Sequence, residues 1–259
     1  MLDIDPLAIN DIVRDASVKA LALFRTNGVD VQNKLAGGFD PVTHADRMIE
    51  SNLRFKLREL VGELPVIGEE EGTTGDPSAG YAWIIDPIDG TRAFISGQPQ
   101  WGTLLGLLHD GQPLGGWLHL PVLHETFWAL GDSFGVRSPT TTRFGTSECT
   151  RIADATMLST DPAMFAGELE KAFARMVAAV RLTRYSGDCH NYGLLASGDV
   201  DLVVENQMQP YDILPLIPII EAAGGIVTDG HGAPILSGGS VVAAATPQLH
   251  EQALNVLNS

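Results

Sequence analysis

The chain has 259 residues, 44 % of them apolar, and 32 acidic against 16 basic side chains give it a formal net charge of −16 at pH 7. That length and apolar content suffice for one large domain or two tightly joined halves, and the acidic balance excludes a nucleic-acid surface, which needs a basic face. The longest apolar run, about eight residues within Ile213–Ile220, is far short of the ~20 needed to span a bilayer, so no membrane partner is expected. Met1-Leu2-Asp3-Ile4-Asp5 lacks the basic start of a signal peptide, and the two cysteines, Cys149 and Cys189, form no disulfide framework or zinc motif. A reducing cytoplasm is the expected compartment.

Ile9, Ile12, Val13, Ala16, Ala20, Leu23 and Phe24 recur at helical spacing and predict a helix within residues 4–26, ended near Asn27-Gly28. A short extended piece with Val29, Val31 and Lys34 follows, then a flexible turn over Gly37–Pro41. A second helix is expected from near Thr43, bearing Met48, Ile49, Leu53, Leu57 and Leu60. Asp46 in its first turn suits the positive end of the helix, so capping alone would account for it. Leu64–Ile67 reads as a strand, Glu69-Glu70-Glu71 as a solvated turn, and residues 72–80 as loop. Tyr81, Trp83, Ile84 and Ile85 predict a buried strand, stopped by Pro87. It delivers Asp86 to the strand end, and Asp89 follows across a turn in which Gly90 can take a positive φ. The two carboxylates can converge on one point, where they repel unless a cation sits between them. Gly90, Thr91 and Arg92 offer backbone N–H groups at a helix start, a setting that suits a phosphate.

Strands are expected over residues 102–108, 115–120 and 125–130, with Asp110-Gly111 as a hairpin turn and Trp101, Trp117 and Trp128 in the core. Residues 131–150 read as a connection. It divides the chain into an N-terminal α+β half, residues 1–135, and a C-terminal α/β half, residues 136–259. In the second half, strands at 157–159, 181–185, 200–205, 226–228 and 240–245 alternate with helices at 168–179, 188–197, 213–223 and after Thr246. Gly224-Gly225 ends the third of these helices.

Asp86-Pro87-Ile88-Asp89-Gly90-Thr91 resembles the signature of the inositol monophosphatase superfamily, the Mg²⁺-dependent phosphomonoesterases. Val42-Thr43-His44-Ala45-Asp46, Gly68-Glu69-Glu70 and Pro210-Tyr211-Asp212 with Glu221-Ala222-Ala223-Gly224-Gly225 match further family segments in order, so the resemblance runs from about Lys34 to Gly225. It implies a layered αβαβα sugar-phosphatase fold, two sheets sandwiched by helices, with the N-terminal half carrying most metal motifs and the C-terminal half completing the site. It implies Glu69, Asp86, the Ile88 carbonyl, Asp89 and Asp212 as ligands to two or three Mg²⁺ ions, an all-oxygen set that suits a hard cation and not zinc. Lys34 would lie near these metals. Thr91, Asp46 and Glu70 would form the catalytic group, the first two positioning the attacking water. Gly90 and Thr91 would bind the phosphate of a small phosphate ester, and a homodimer is the family's usual assembly.

Within the superfamily, the run Thr91–Gly97, the segment Gly187-Asp188-Cys189-His190-Asn191-Tyr192, and Asp201–Glu205 look like the histidinol-phosphate phosphatase branch. Asp188 stands where inositol monophosphatases carry a small residue, and Tyr211 where they carry Trp. The α-ammonium of histidinol phosphate calls for a pocket acid not consumed by metal, and Asp188, Glu205 and Asn191 are the substrate-binding candidates. Asp188 would otherwise be an N-cap of the following helix, and Cys189 and His190 read as packing residues. The alternative is an inositol monophosphatase of broad specificity. A 3′-phosphoadenosine-type nucleotidase fits Ile88 and Arg92 less well, and a non-catalytic phospholigand-binding protein would not need the full ligand set.

Overall fold

The computed structural model of the protein describes residues 2, 4–26, 31–33 and 41–259; Lys34 and most of the turn expected at residues 37–41 lie outside them. The chain runs α1 (Pro6–Leu23), β1 (Val31–Asn33), β2 (Pro41–Thr43), α2 (His44–Val61), β3 (Val66–Gly68), β4 (Gly72–Thr74), β5 (Tyr81–Asp89), α3 (Thr91–Ile95), β6 (Gly102–His109), β7 (Gln112–Leu120), β8 (Glu125–Leu130) and β9 (Ser133–Arg137). It continues with β10 (Thr156–Ser159), α4 (Glu168–Ala179), β11 (Leu182–Tyr185), α5 (His190–Ala196), β12 (Leu202–Met208), α6 (Pro210–Ile213), α7 (Leu216–Ala222), β13 (Ile226–Thr228), β14 (Gly239–Ala244) and α8 (Pro247–Leu257).

Two mixed sheets result, one of seven strands in the order β4-β3-β5-β6-β7-β8-β9 and one of five in the order β11-β10-β12-β14-β13. Alternation along β5 decides what each face buries. Trp83 and Ile85 point with Leu105, Leu107 and Trp117 into a core closed by α1 and α2. Ala82 and Ile84 point with Leu104, Leu118 and Leu120 to the other side, against α5, α6 and α7. Those helices also cover Val203, Val241 and Ala243 of the second sheet, whose far face buries Leu202, Val204 and Val242 under α4 and α8. The layers are helix, sheet, helix, sheet, helix, as the family resemblance implies. No helix among the described residues is long and apolar enough to cross a membrane.

The hairpin between β6 and β7 forms at Asp110-Gly111, with φ of 51° and 74°, the doubly positive pair that suits a two-residue turn. Four local readings change. Residues 72–74 pair with β3 as an edge strand, and residues 133–137 add β9 by pairing with β8. Both are short, largely exposed edge segments without the apolar alternation that marks a strand. Pro87 does not end β5: the strand continues to Asp89 with an extra residue between the pairs Asp86↔Leu104 and Asp89↔Gly102, and a bulge is where a missing N–H is tolerated.

The helix expected over 213–223 is two helices, because Pro215 and Pro218 each remove an N–H that an unbroken helix would use. Pro215, at the break, rests on Gly106 and Gly116, a cross-strand pair of β6 and β7. A Cβ on Gly116 would fall on the Pro215 carbonyl oxygen, so the pair forms a floor that sets the height of α6. Gly116→Ala is therefore expected to lower stability by about 2–3 kcal/mol through overpacking, read as a lower urea midpoint at unchanged m-value. An unchanged midpoint would show that Pro215 does not rest there.

Candidate metal and phosphate site

The bulge in β5 does chemical work. In a regular strand Asp86 and Asp89 would point to opposite faces; one extra residue returns them to the same side. Asp212, from α6, joins them, and one carboxylate oxygen of each lies within 4.8 Å of the others. Glu69, whose N–H donates to the Ile85 carbonyl at 3.2 Å, meets the cluster at Asp86. The Asp86 carboxyl is held well above the usual carboxylate range, by burial first and then by the charges of Glu69, Asp89 and Asp212. Burial likewise raises Asp89, followed by Asp188 and Asp212, while the Cys189 thiol hydrogen bond pulls it back. Asp86 is 2 % exposed and its Oδ1 has no hydrogen-bond partner among the described residues. An orphaned, buried carboxylate oxygen among converging acids fits a hard divalent cation, whose charge reverses the repulsion.

Asp46 and Thr91 meet as the resemblance implies. The Thr91 hydroxyl lies 3.4 Å from Asp46 Oδ1 and 3.0 Å from the Ile88 carbonyl oxygen. Asp46 is fully buried, and its Oδ2 accepts the Thr43 N–H at 2.8 Å and hydroxyl at 2.5 Å. Capping and site function thus use different oxygens of one carboxylate. Asp212 repeats the arrangement: its Oδ2 accepts the Gln209 N–H at 2.8 Å at the start of α6, while the side chain joins the acidic cluster. Gly90 takes a left-handed φ of 85° and hands the chain to α3, whose first turn begins at Thr91.

On the other wall, Asp188 does not cap α5. The helix starts at His190 with Cys189 in the capping position and no side-chain cap. Asp188 instead sits at φ 47°, and its carboxylate lies against Gly90, with about 3.0 Å between its Cγ and the place a Gly90 Cβ would occupy. Its carboxyl is pushed up to about 7 by burial and then by Glu205, against the pull of Arg92. Glu205 is buried and fully engaged. Its Oε1 accepts from the Thr160 N–H at 3.1 Å, the Thr160 hydroxyl at 2.5 Å and Asn191 Nδ2 at 3.3 Å, and its Oε2 accepts from the Tyr192 hydroxyl at 2.9 Å. Glu205 and Asn191 therefore bind each other, and Asp188 lies against Gly90.

Several residues at the site escaped sequence reasoning. Glu50, in α2, accepts the N–H groups of Glu70 and Glu71; its only signal was Arg54 at i+4, on a helix that also shows ordinary surface charges. Thr160 and Tyr192 carry no pattern that pairs them with Glu205. Cys189 does more than pack, since its thiol donates to the Asp89 carboxylate.

Comparison with known proteins agrees with this geometry. The profile of the inositol monophosphatase family matches residues 7–259. The chain is 36 % identical over 261 residues to the Arabidopsis thaliana protein named bifunctional phosphatase IMPL2, chloroplastic, covering 96 % of this chain and 74 % of that one. It is 33 % identical over 244 residues to a histidinol-phosphatase of Mycobacterium tuberculosis, covering 92 % and 93 %. Among solved structures, an inositol monophosphatase from Zymomonas mobilis superposes with a TM-score of 0.81 at 34 % identity, over 98 % of this chain and 96 % of that one. Fold, acidic cluster and sequence agree: the chain belongs to the inositol monophosphatase family.

Proposed function

We propose that this family phosphatase is a Mg²⁺-dependent phosphomonoesterase whose preferred substrate is L-histidinol phosphate, cleaved by water to L-histidinol and phosphate. The observation that carries the substrate is Asp188: a carboxylate outside the acidic cluster, released from helix capping and set against Gly90. The phosphate lies on the backbone of Gly90 and Thr91, and the α-ammonium, a short reach away on the same molecule, takes Asp188 as its counter-charge. Glu205, Asn191 and Tyr192 hold the wall behind it.

Asp86, Asp89, Asp212, Glu69 and the Ile88 carbonyl are the groups that would hold Mg²⁺, which when bound supplies Lewis-acid stabilisation of charge on the phosphoryl and leaving oxygens. The remaining chemistry belongs to the chain. Asp46, fixed by Thr43, and the Ile88 carbonyl share the Thr91 hydroxyl as hydrogen-bond donor, leaving the hydroxyl lone pairs to orient a water for in-line attack on phosphorus. Glu70, on the loop that presents Glu69, is held through its N–H by Glu50. The water oxygen forms the new P–O bond as the ester P–O bond breaks; one water proton passes to the leaving oxygen to give the alcohol, and the other stays on the phosphate. A second reading, an inositol monophosphatase of broad specificity, is favoured by the 34 % identity to the Zymomonas structure.

Phosphate release from L-histidinol phosphate and D-myo-inositol 1-phosphate, measured side by side with Mg²⁺, decides between the two. A kcat/KM about 100-fold higher for histidinol phosphate, roughly 2.7 kcal/mol of discrimination, is the expected result; comparable values would favour the broad reading. Asp188→Ala is expected to raise KM for histidinol phosphate by about 10- to 100-fold, the worth of a charge-assisted hydrogen bond, and to leave a neutral phosphate ester nearly unaffected. Equal effects on both substrates would remove Asp188 from amine recognition.

Asp86→Asn tests the metal reading. Because the folded-state pKa of Asp86 is raised, its charged form costs stability above the unfolded-state pKa, and that cost fades as pH falls. The metal-free variant at pH 7 should therefore melt no lower than wild type, while its thermal stabilisation by MgCl₂ disappears. Its activity should fall by more than the roughly 10- to 100-fold that a supporting residue costs. Retained activity with unchanged Mg²⁺ dependence would sink the assignment.

A further inference from the structure

Helix α2 carries a second wholly buried carboxylate one turn beyond Asp46, and nothing in the mechanism above uses it. Glu50 Oε2 accepts the N–H of Glu70 at 2.7 Å, and Oε1 accepts the N–H of Glu71 at 3.1 Å. Arg54, another turn along, reaches the same Oε1 with Nε at 2.9 Å and Nη2 at 2.8 Å. Its guanidinium also donates to the Gly72 carbonyl at 2.6 Å and to Thr74 Oγ1 at 3.1 Å. Gly68 completes the arrangement, since a Cβ there would fall on the Glu50 carboxylate and the Arg54 guanidinium.

Holding α2 against β3 and β4 does not by itself call for ions, because apolar side chains pack such contacts at less desolvation cost. What a carboxylate alone provides is a pair of acceptors for two successive N–H groups. Those two bonds fix the peptide planes on both sides of Glu70, and with them the direction in which Glu69 leaves the backbone. Asp46 and Glu50, four residues apart, lie on one face of α2. The helix thus holds Thr91 through the first and the 69–71 loop through the second.

We propose that Glu50 is a positioning residue that presents Glu69 to the divalent cation, with Arg54 as its counter-charge; this rests on the reading of Glu69 as a metal ligand. The test uses Glu50→Gln, which keeps the shape of the side chain but turns an N–H₂ toward one of the two backbone N–H groups. Three measurements are made: hydrogen exchange of the Glu70 and Glu71 amides in metal-free protein, thermal stabilisation titrated with MgCl₂ alone, and phosphate release against Mg²⁺ concentration at saturating substrate. The expected result is faster exchange at Glu70 and Glu71 with Ile49, Leu53 and Leu57 unchanged. The Mg²⁺ half-saturation concentration should rise about 10- to 100-fold in both titrations, with substrate KM at saturating Mg²⁺ close to wild type.

An unchanged Mg²⁺ half-saturation overturns the proposal even if exchange accelerates, because the residue would then be structural only. Should Glu50→Gln fail to fold, Arg54→Gln takes its place. It is expected to shift the Mg²⁺ half-saturation in the same direction, and a folded Arg54→Gln protein with wild-type Mg²⁺ dependence overturns the proposal equally. A wild-type protein that Mg²⁺ does not stabilise would instead overturn the metal reading itself, and the proposal with it.

Discussion

Mutual repulsion among converging carboxylates, one buried and two half-buried, is the constraint on which this structure depends. Asp86, Asp89 and Asp212 converge from a strand bulge and a short helix on opposite sides of one point, with Glu69 against Asp86. Left to themselves such groups would move apart, and a loop would let them. Here they cannot. Asp86 and Asp89 belong to a strand packed on both faces, and Asp212 sits on a helix whose height is set by Pro215 on the Gly106–Gly116 floor. The apolar layers on either side hold the acids at a separation that their own electrostatics oppose. A cation then gains affinity from a site that does not have to be assembled on binding.

The scaffold supplies this rigidity with ordinary devices used twice. Asp46 caps α2 with one oxygen and meets Thr91 with the other. Asp212 closes the start of α6 through Oδ2 while belonging to the acidic cluster. Weighing a cap against a functional acid treats the two as rivals, but a carboxylate has two oxygens and a helix start needs one of them. The cap is what fixes the side-chain torsions, so the functional oxygen is aimed by the structural one. Asp188 shows the converse. Freed from capping, it depends on the backbone for its direction, and Ser186, Gly187 and Asp188 all take positive φ, at 71°, 134° and 47°. A left-handed φ at two non-glycine residues is strain of the kind that gathers at functional sites.

Legibility in the sequence followed locality. The segments around Asp46, Glu69, Asp86–Thr91 and Asp212 could be read because short motifs carry backbone geometry with them. Most strands and helices followed from apolar spacing of period two or 3.6. What could not be read depended on partners distant in sequence. The bulge at Pro87–Ile88 exists only in register with Leu104 and Gly102. The edge strand β9 is made by pairing with β8 and not by its own side chains. Glu50 looks like any helix-surface acid until the chain folds the 69–71 loop over it, and Glu205 looks available until Thr160, Asn191 and Tyr192 close on it. The break between α6 and α7 was legible in Pro215 and Pro218, and a strong apolar run obscured it.

Charge distribution across the pocket connects these elements to substrate choice. A phosphate dianion is a poor fit for a wall of acids, so the acids must be divided between tasks. Those in the cluster answer to a cation. Glu205 accepts four hydrogen bonds that favour its charged form against burial, and that charge helps raise Asp188 to about 7. An acid held near neutrality by burial and a like charge changes its state most readily when a cationic group arrives beside it, because the newcomer offsets the terms that raised it. Arg92 already offsets part of them, which keeps Asp188 close to the balance point. A zwitterionic phosphate ester with an ammonium near its phosphate would meet polarity of both signs in the right order: backbone N–H groups and a cation at one end, Asp188 at the other. A neutral polyol phosphate would leave the half-buried Asp188 without that partner. On the proposed reading, the acid at position 188 is the group that separates an amine-bearing phosphate ester from a neutral one.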